Sequence, residues 1–174
     1  SVHLLIFRFQ DSSMDIKILC PLWGSEDLQQ EDFLEKVKNA GFDGIETWLP
    51  TESNERVRLR QNLQKMDLAL VVHQHEAEGQ NFKAFKESFL KHLACCAEQS
   101  PLLINSHTGR DYFSFSENLE LLEISSTFSM DNNIVVAPET HRGRLGYTPA
   151  DMRGYLQASD QFHVTADFSH WVCV

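Results

Sequence analysis

Two carboxylates and a group of histidines stand at the ends of short apolar runs, and these are the positions where the sequence could do chemistry. Glu139 follows Val135-Val136-Ala137-Pro138, and Asp167 follows Val164-Thr165-Ala166. A carboxylate closing a buried strand needs a partner, because an unpaired charge there carries a large desolvation cost. If the two runs are neighbouring strands, about 4.8 Å apart, the two acids repel unless a cation lies between them. Of the eight histidines, His73, His75, His107, His141 and His170 also stand at such ends. A lone histidine at a strand end is more often a hydrogen-bonded structural residue than a ligand, so the weight falls on the group. Period-two alternation puts His73 with His75, Asn105 with His107, and Glu46 with Trp48 on shared faces. Carboxylate with imidazole suits Mn, Mg, Co, Fe or Zn, and the residue types do not choose among them. Arg142 and Arg144 could clamp an anionic substrate group or pair with surface acids. Trp23 and Trp48 could wall the C–H face of a sugar or pack in a core.

The elements that must position these residues repeat along the chain. Six apolar runs, Ile16–Trp23, Phe42–Trp48, Leu68–His75, Leu102–His107, Ile134–Glu139 and Phe162–Asp167, begin about 26 to 34 residues apart, the length of one strand–helix unit with its loops. Between them the period becomes helical. Phe82, Phe85, Phe89, Leu93 and Cys96 make one stripe after Asn81. Ser25-Glu26-Asp27 is expected to open the first helix and Gly41 to close it. Ser114 with Glu117 fits a capping box, and Thr148-Pro149 a capped helix start. Strict alternation implies a mostly parallel sheet, and no glycine-rich phosphate loop follows the first strand, which argues against an open nucleotide-binding sheet. The expected fold is therefore α/β, a (β/α)8 TIM barrel of which about six units are present over residues 14–174. A complete barrel takes about 250 residues, so the chain reads as C-terminally truncated. Residues 1–13, ahead of Met14, read as an N-terminal extension or as a short strand or plug.

Composition narrows the partners. The formal net charge of −10 disfavours nucleic acid and anionic membrane surfaces. No apolar run approaches the roughly 18 residues of a membrane span. The four cysteines, Cys20, Cys95, Cys96 and Cys173, form no C-x-x-C pair, which points to reduced thiols and a cytoplasmic location.

Ala40-Gly41-Phe42-Asp43-Gly44-Ile45-Glu46, Asn105-Ser106-His107-Thr108-Gly109, Glu139-Thr140-His141 and Asp167-Phe168-Ser169-His170 together resemble the xylose isomerase-like superfamily of TIM barrels, the sugar phosphate isomerase/epimerase type. The resemblance implies that Glu139 ligates a divalent metal and acts as acid or base, that Asp167 is a second ligand, and that His170 contacts substrate. It leaves His107, His75, Glu46, Trp23, His141 and Arg142 as candidate substrate-binding residues. The implied reaction is proton abstraction α to a carbonyl with enediolate stabilisation, as in isomerases, epimerases and dehydratases of small polyhydroxylated substrates. The remaining ligands of such families come from the seventh and eighth strands, so this chain carries an incomplete site. Two rivals stand beside this reading. An endonuclease IV-like zinc phosphodiesterase acting on abasic DNA would use His75, His107, Glu139, Asp167 and His170. A non-catalytic sugar-binding barrel fragment would use none of them for chemistry. An exposed sheet edge would favour a homo-oligomer.

Overall fold

The computed structural model describes residues 3–8 and 14–172, with side chains from residue 16 onward. The chain divides into two compact units, Ser1–Val72 and His73–Val174, and the division falls inside one strand.

In the first unit, β1 (His3–Arg8) runs antiparallel to β2 (Met14–Pro21), so part of the stretch expected as an extension is a strand on the sheet edge. β2 pairs in parallel with β3 (Gly44–Thr47), and β3 with β4 (Ala69–Gln74). Parallel neighbours need a crossover, which α1 (Gln30–Asn39) and α2 (Ser53–Met66) supply. The first helix opens at Gln30 and not at Ser25: the Glu26 carboxylate accepts from the Gly24 N–H, and Leu28 N–H bonds to Ser25 O, so this segment forms turns. Its end is as expected. Gly41 takes φ +81°, Phe42 N–H reaches Val37 O and Gly41 N–H reaches Lys38 O, the two bonds of a Schellman motif. Phe33, Leu34 and Val37 of α1, Leu59 and Leu63 of α2, and Leu19, Ile45, Val71 and Val72 of the strands are buried. Gly44 admits no side chain, since a Cβ there would stand 2.2 Å from Ala69 O.

The second unit begins with His73 and Gln74 at the end of β4. It continues through α3 (Phe82–Ala97), β5 (Leu103–Ser106), α4 (Phe115–Asn132), β6 (Val135–Pro138), α5 (Pro149–Ala158) and the single turn α6 (Phe168–Trp171). β5 and β6 are parallel. Two helix starts follow their sequence signals, with the Ser114/Glu117 box complete and Thr148 capping α5, and α3 is capped by Asn81, whose Oδ1 accepts from Ala84 N–H. Phe85, Phe89, Leu93 and Cys96 face the core, whereas Phe82 is only partly buried.

The strand expected over Phe162–Asp167 is not formed as a strand. It is one parallel bridge, Glu139↔Thr165, held by Thr165 N–H to Pro138 O (2.9 Å) and Thr140 N–H to Thr165 O (3.0 Å). Among the described residues no strand pairs with its far side, so the ladder bonds that would extend it are missing. Phe162 and Val164 nevertheless pack on the cluster of Leu122, Leu145, Met152 and Tyr155. The Thr140 hydroxyl adds a clasp: it donates to Asp167 O (2.9 Å) and accepts from Asp167 N–H (2.8 Å).

Cys20, Cys95 and Cys96 are free thiols, and burial, with Cys95 and Glu76 adding to it, pushes Cys96 up to about 12. Cys173 lies outside the described residues. No helix among the described residues is long and apolar enough to cross a membrane.

Candidate metal centre

Ladder bonds carried one residue past the strand ends bring the site together. His107 N–H donates to Gln74 O and Glu139 N–H to Ser106 O, both at 2.8 Å. These bonds hold His73, His107 and Glu139 side by side. Beneath them, Thr108 Oγ1, Ser106 Oγ and Gln74 Oε1 form a buried hydrogen-bonded chain with links of 3.0 Å.

Glu139 is only 6% exposed. Its Oε2 accepts from Asn105 Nδ2 (2.7 Å) and stands 3.6 Å from both His73 Nε2 and His107 Nε2, which are themselves 2.9 Å apart. A triangle with these sides leaves a point about 2 Å from all three atoms, the usual metal–nitrogen and metal–oxygen bond length. Two neutral imidazoles can satisfy each other across 2.9 Å with one shared proton only. Three acceptor-capable atoms converging in a buried place therefore fit a cation. Burial first, then His141, Arg144, His75 and His170, hold His107 down to about 2. It is a neutral imidazole, the form that offers a lone pair. Its Nδ1 is buried and meets no hydrogen-bond partner among the described residues.

A second group, Glu139, His141 and His170, also has ligand atoms within 4.8 Å of one another. Its ring nitrogens are differently disposed. His141 Nδ1 lies 2.6 Å from Arg142 O, so it carries the proton and leaves Nε2 bare. Burial is the main cause that lowers the His141 pKa. His170 Nδ1 accepts from Arg142 Nε (3.1 Å), which puts the proton of the neutral ring on Nε2, 3.7 Å from Asp167 Oδ2. His170 in that form has no free lone pair for a metal. The rings of His107, His141 and His170 follow one another in tilted contacts at 43°, with centroids 4.1 and 3.8 Å apart.

The expected residues thus distribute unevenly. Glu139, His107, His141, His170 and Arg142 converge. Asp167 belongs to neither group; its Oδ1 accepts from Ser169 N–H as the cap of α6. His75 is exposed, its ring centroid 5.4 Å from that of His73. In the first unit, Glu46 is buried on β3, and Trp23 stacks on Trp48 at 6.3 Å and 15°. Sequence reasoning passed over His73 and Asn105 as site residues. Their signal was the parity they share with His75 and His107.

No protein-family model matches the sequence, and no curated protein does. Solved structures do. A D-tagatose 3-epimerase-like protein matches with TM-score 0.62 and 19% identity over 79% of this chain and 60% of its own. The probable 3-DHS dehydratase AsbF from Bacillus anthracis matches with TM-score 0.56 and 17% identity over 83% and 60%. A xylose isomerase-like TIM barrel protein from Mycobacterium smegmatis, solved with magnesium, matches with TM-score 0.59 and 16% identity over 82% and 57%. At such identities the likeness shows the fold alone, that of a TIM barrel, and the chain spans about three fifths of each of those chains.

Proposed function

We propose that the chain is the larger part of a metal-dependent isomerase, epimerase or dehydratase that acts on a small polyhydroxylated substrate in the cytoplasm. The observation that carries this reading is the buried Glu139 carboxylate with the Nε2 atoms of His73 and His107 both at 3.6 Å. Those three side chains would hold the divalent cation, Mn, Mg, Co or Zn. Asp167 would join as the second carboxylate by releasing Ser169 N–H. When bound, the cation supplies polarisation of a substrate carbonyl or hydroxyl oxygen.

The chain's own residues do the rest. Asn105 Nδ2 fixes Glu139 Oε2, so Oε1 is the atom left to take a proton from the carbon α to the carbonyl. His141, with its proton held toward Arg142 O, presents Nε2 to a substrate hydroxyl. Arg142 keeps His170 oriented with Nε2–H outward as a donor. The fold neighbours, an epimerase-like protein and a dehydratase by their descriptions, support this class of chemistry. Calorimetric titration of the purified chain with Mn²⁺ tests it. Saturable binding that Glu139→Gln abolishes is expected. No binding of any divalent cation by a folded chain would sink the reading.

The set of two imidazoles and one carboxylate also favours a second reading, a zinc phosphodiesterase of the endonuclease IV type, since such ligands suit Zn²⁺. The net charge of −10 opposes a DNA partner. Tightly held zinc together with cleavage of an abasic oligonucleotide would promote it.

A further inference from the structure

Behind the candidate metal centre lies a second set of polar side chains. Thr108 Oγ1 donates to Ser106 Oγ, and Ser106 Oγ donates to Gln74 Oε1, each at 3.0 Å. All three residues are buried, Ser106 and Thr108 completely. Alternation along β4 and β5 puts Gln74 and Ser106 on the face of the sheet away from His73 and Asn105. Whatever they do for the ligands is therefore done through the backbone and not by contact.

The arrangement is a costly way to fill a core. Gln74 Nε2 is buried and meets no hydrogen-bond partner among the described residues. A half-satisfied polar group there is less stable than an aliphatic side chain of the same volume. What sets these residues apart is where their carbonyls go. Gln74 O accepts the His107 N–H and Ser106 O accepts the Glu139 N–H, both at 2.8 Å. Ser106 O also takes the Thr108 N–H at 2.9 Å, and Thr108 O takes the Leu145 N–H at 3.2 Å. β4 ends at Gln74 and β5 at Ser106, so single bonds carry the ladder from there. The hydroxyl chain clamps together the residues whose carbonyls seat His107 and Glu139, and Gln74 adjoins His73, the third member of the trio.

We propose that Ser106 is a positioning residue for the candidate metal centre. Its hydroxyl joins Gln74 to Thr108 and so fixes the spacing of His73 Nε2, His107 Nε2 and Glu139 Oε2 from behind the sheet. This role rests on the metal-dependent reading above and deepens it. Ligands already held in place bind a cation more tightly than ligands that must first be gathered.

Mn²⁺ is titrated calorimetrically into wild type, Ser106→Ala and the triple variant Gln74→Leu/Ser106→Ala/Thr108→Val, and melting temperatures are read on the same samples without metal. Ser106→Ala should lower the melting temperature and weaken Mn²⁺ binding by about tenfold, the scale of losing support behind a ligand. The triple variant removes the whole buried chain with its unmet amide, so its melting temperature should return to that of wild type or above. Its Mn²⁺ affinity should stay low. Saturated with Co²⁺, both variants should show visible bands displaced from those of wild type, because coordination geometry sets those bands. Wild-type affinity in Ser106→Ala overturns the proposal, as does affinity that returns together with the melting temperature in the triple variant, or an unchanged Co²⁺ spectrum. If either variant does not fold by circular dichroism, Thr108→Ser and Thr108→Val decide. The serine should keep the wild-type affinity and spectrum and the valine should lose both; equal behaviour overturns the proposal. Absence of Mn²⁺ binding in wild type defeats the metal reading itself, whereas wild-type binding that is indifferent to these substitutions defeats the positioning role alone.

Discussion

Glu139 has imidazoles on two sides, and the two sides differ in what their nitrogens are doing. On one side, His73 and His107 come from strand ends, are held by ladder bonds, and point two Nε2 atoms at one carboxylate oxygen. On the other side, His141 and His170 come from loop and helix turn, and each has Nδ1 already occupied by Arg142, one by its carbonyl and one by its side chain. The count of histidines is equal. On this second side only His141 keeps a bare Nε2, since the proton of His170 sits on Nε2. What sets the two sides apart is that proton together with the strand ends that aim the lone pairs of His73 and His107.

The comparison can be broken first at its strongest point. His107→Ala should weaken Mn²⁺ binding by on the order of 100-fold or more, beyond the effect of losing an outer-shell partner, while His141→Ala should cost less than a tenth of that. Equal losses in a calorimetric titration would mean the two sides are equivalent.

A smaller effect comes from proton linkage. His107 is held near 2 by burial and the neighbouring His141, whereas in the unfolded chain it titrates at about 6.5. Below that pH the unfolded state binds the extra proton, so folding stability present at neutral pH is lost progressively as pH falls toward 2. The metal-free protein should therefore melt earlier at pH 5 than at pH 7, and His107→Asn should flatten that dependence. His141, also lowered, should contribute in the same direction. A wild-type melting temperature no more pH-sensitive than that of His107→Asn would contradict the assignment. The smallest change is expected for Arg142→Met, which frees His170 Nδ1. Mn²⁺ affinity should move by less than about threefold, yet the His170 ring signals should shift in NMR spectra recorded with and without Mn²⁺. Large loss of affinity would place His170 inside the shell.

Much of this was legible before any coordinates. The strand–helix rhythm, the caps at Ser114 and Thr148, and the stop at Gly41 are local signals that tertiary packing did not override. Glu139 stood out because a carboxylate after four apolar residues has one physical explanation, a partner. His73 did not stand out against His75, since alternation reports which face a residue occupies and not how deep it lies. Asp167 was ambiguous for another reason. An aspartate three residues before a histidine marks a metal-site strand end, and equally an N-cap of a short helix, and the capping geometry is what the structure displays. Ser25 failed as a helix start because the segment closes into turns, with Gly24 N–H on the Glu26 carboxylate and Leu28 N–H on Ser25 O.

The Thr140 clasp has a kinetic consequence. Residues 162–172 are joined to the sheet by one bridge and one hydroxyl that both gives and receives, and elsewhere by Trp171 Nε1 to Gly146 O and the packing of Phe162 and Val164. A segment with so few ladder bonds opens as a piece, at a free energy below that of global unfolding. Its amides, Thr165 and Asp167 foremost, should exchange with deuterium sooner than those of His107 and Glu139. Because His170 rides on that segment, the row of histidine rings loses its outermost member each time the segment lifts, and the inner pair at Glu139 is briefly laid open while its own strands stay shut.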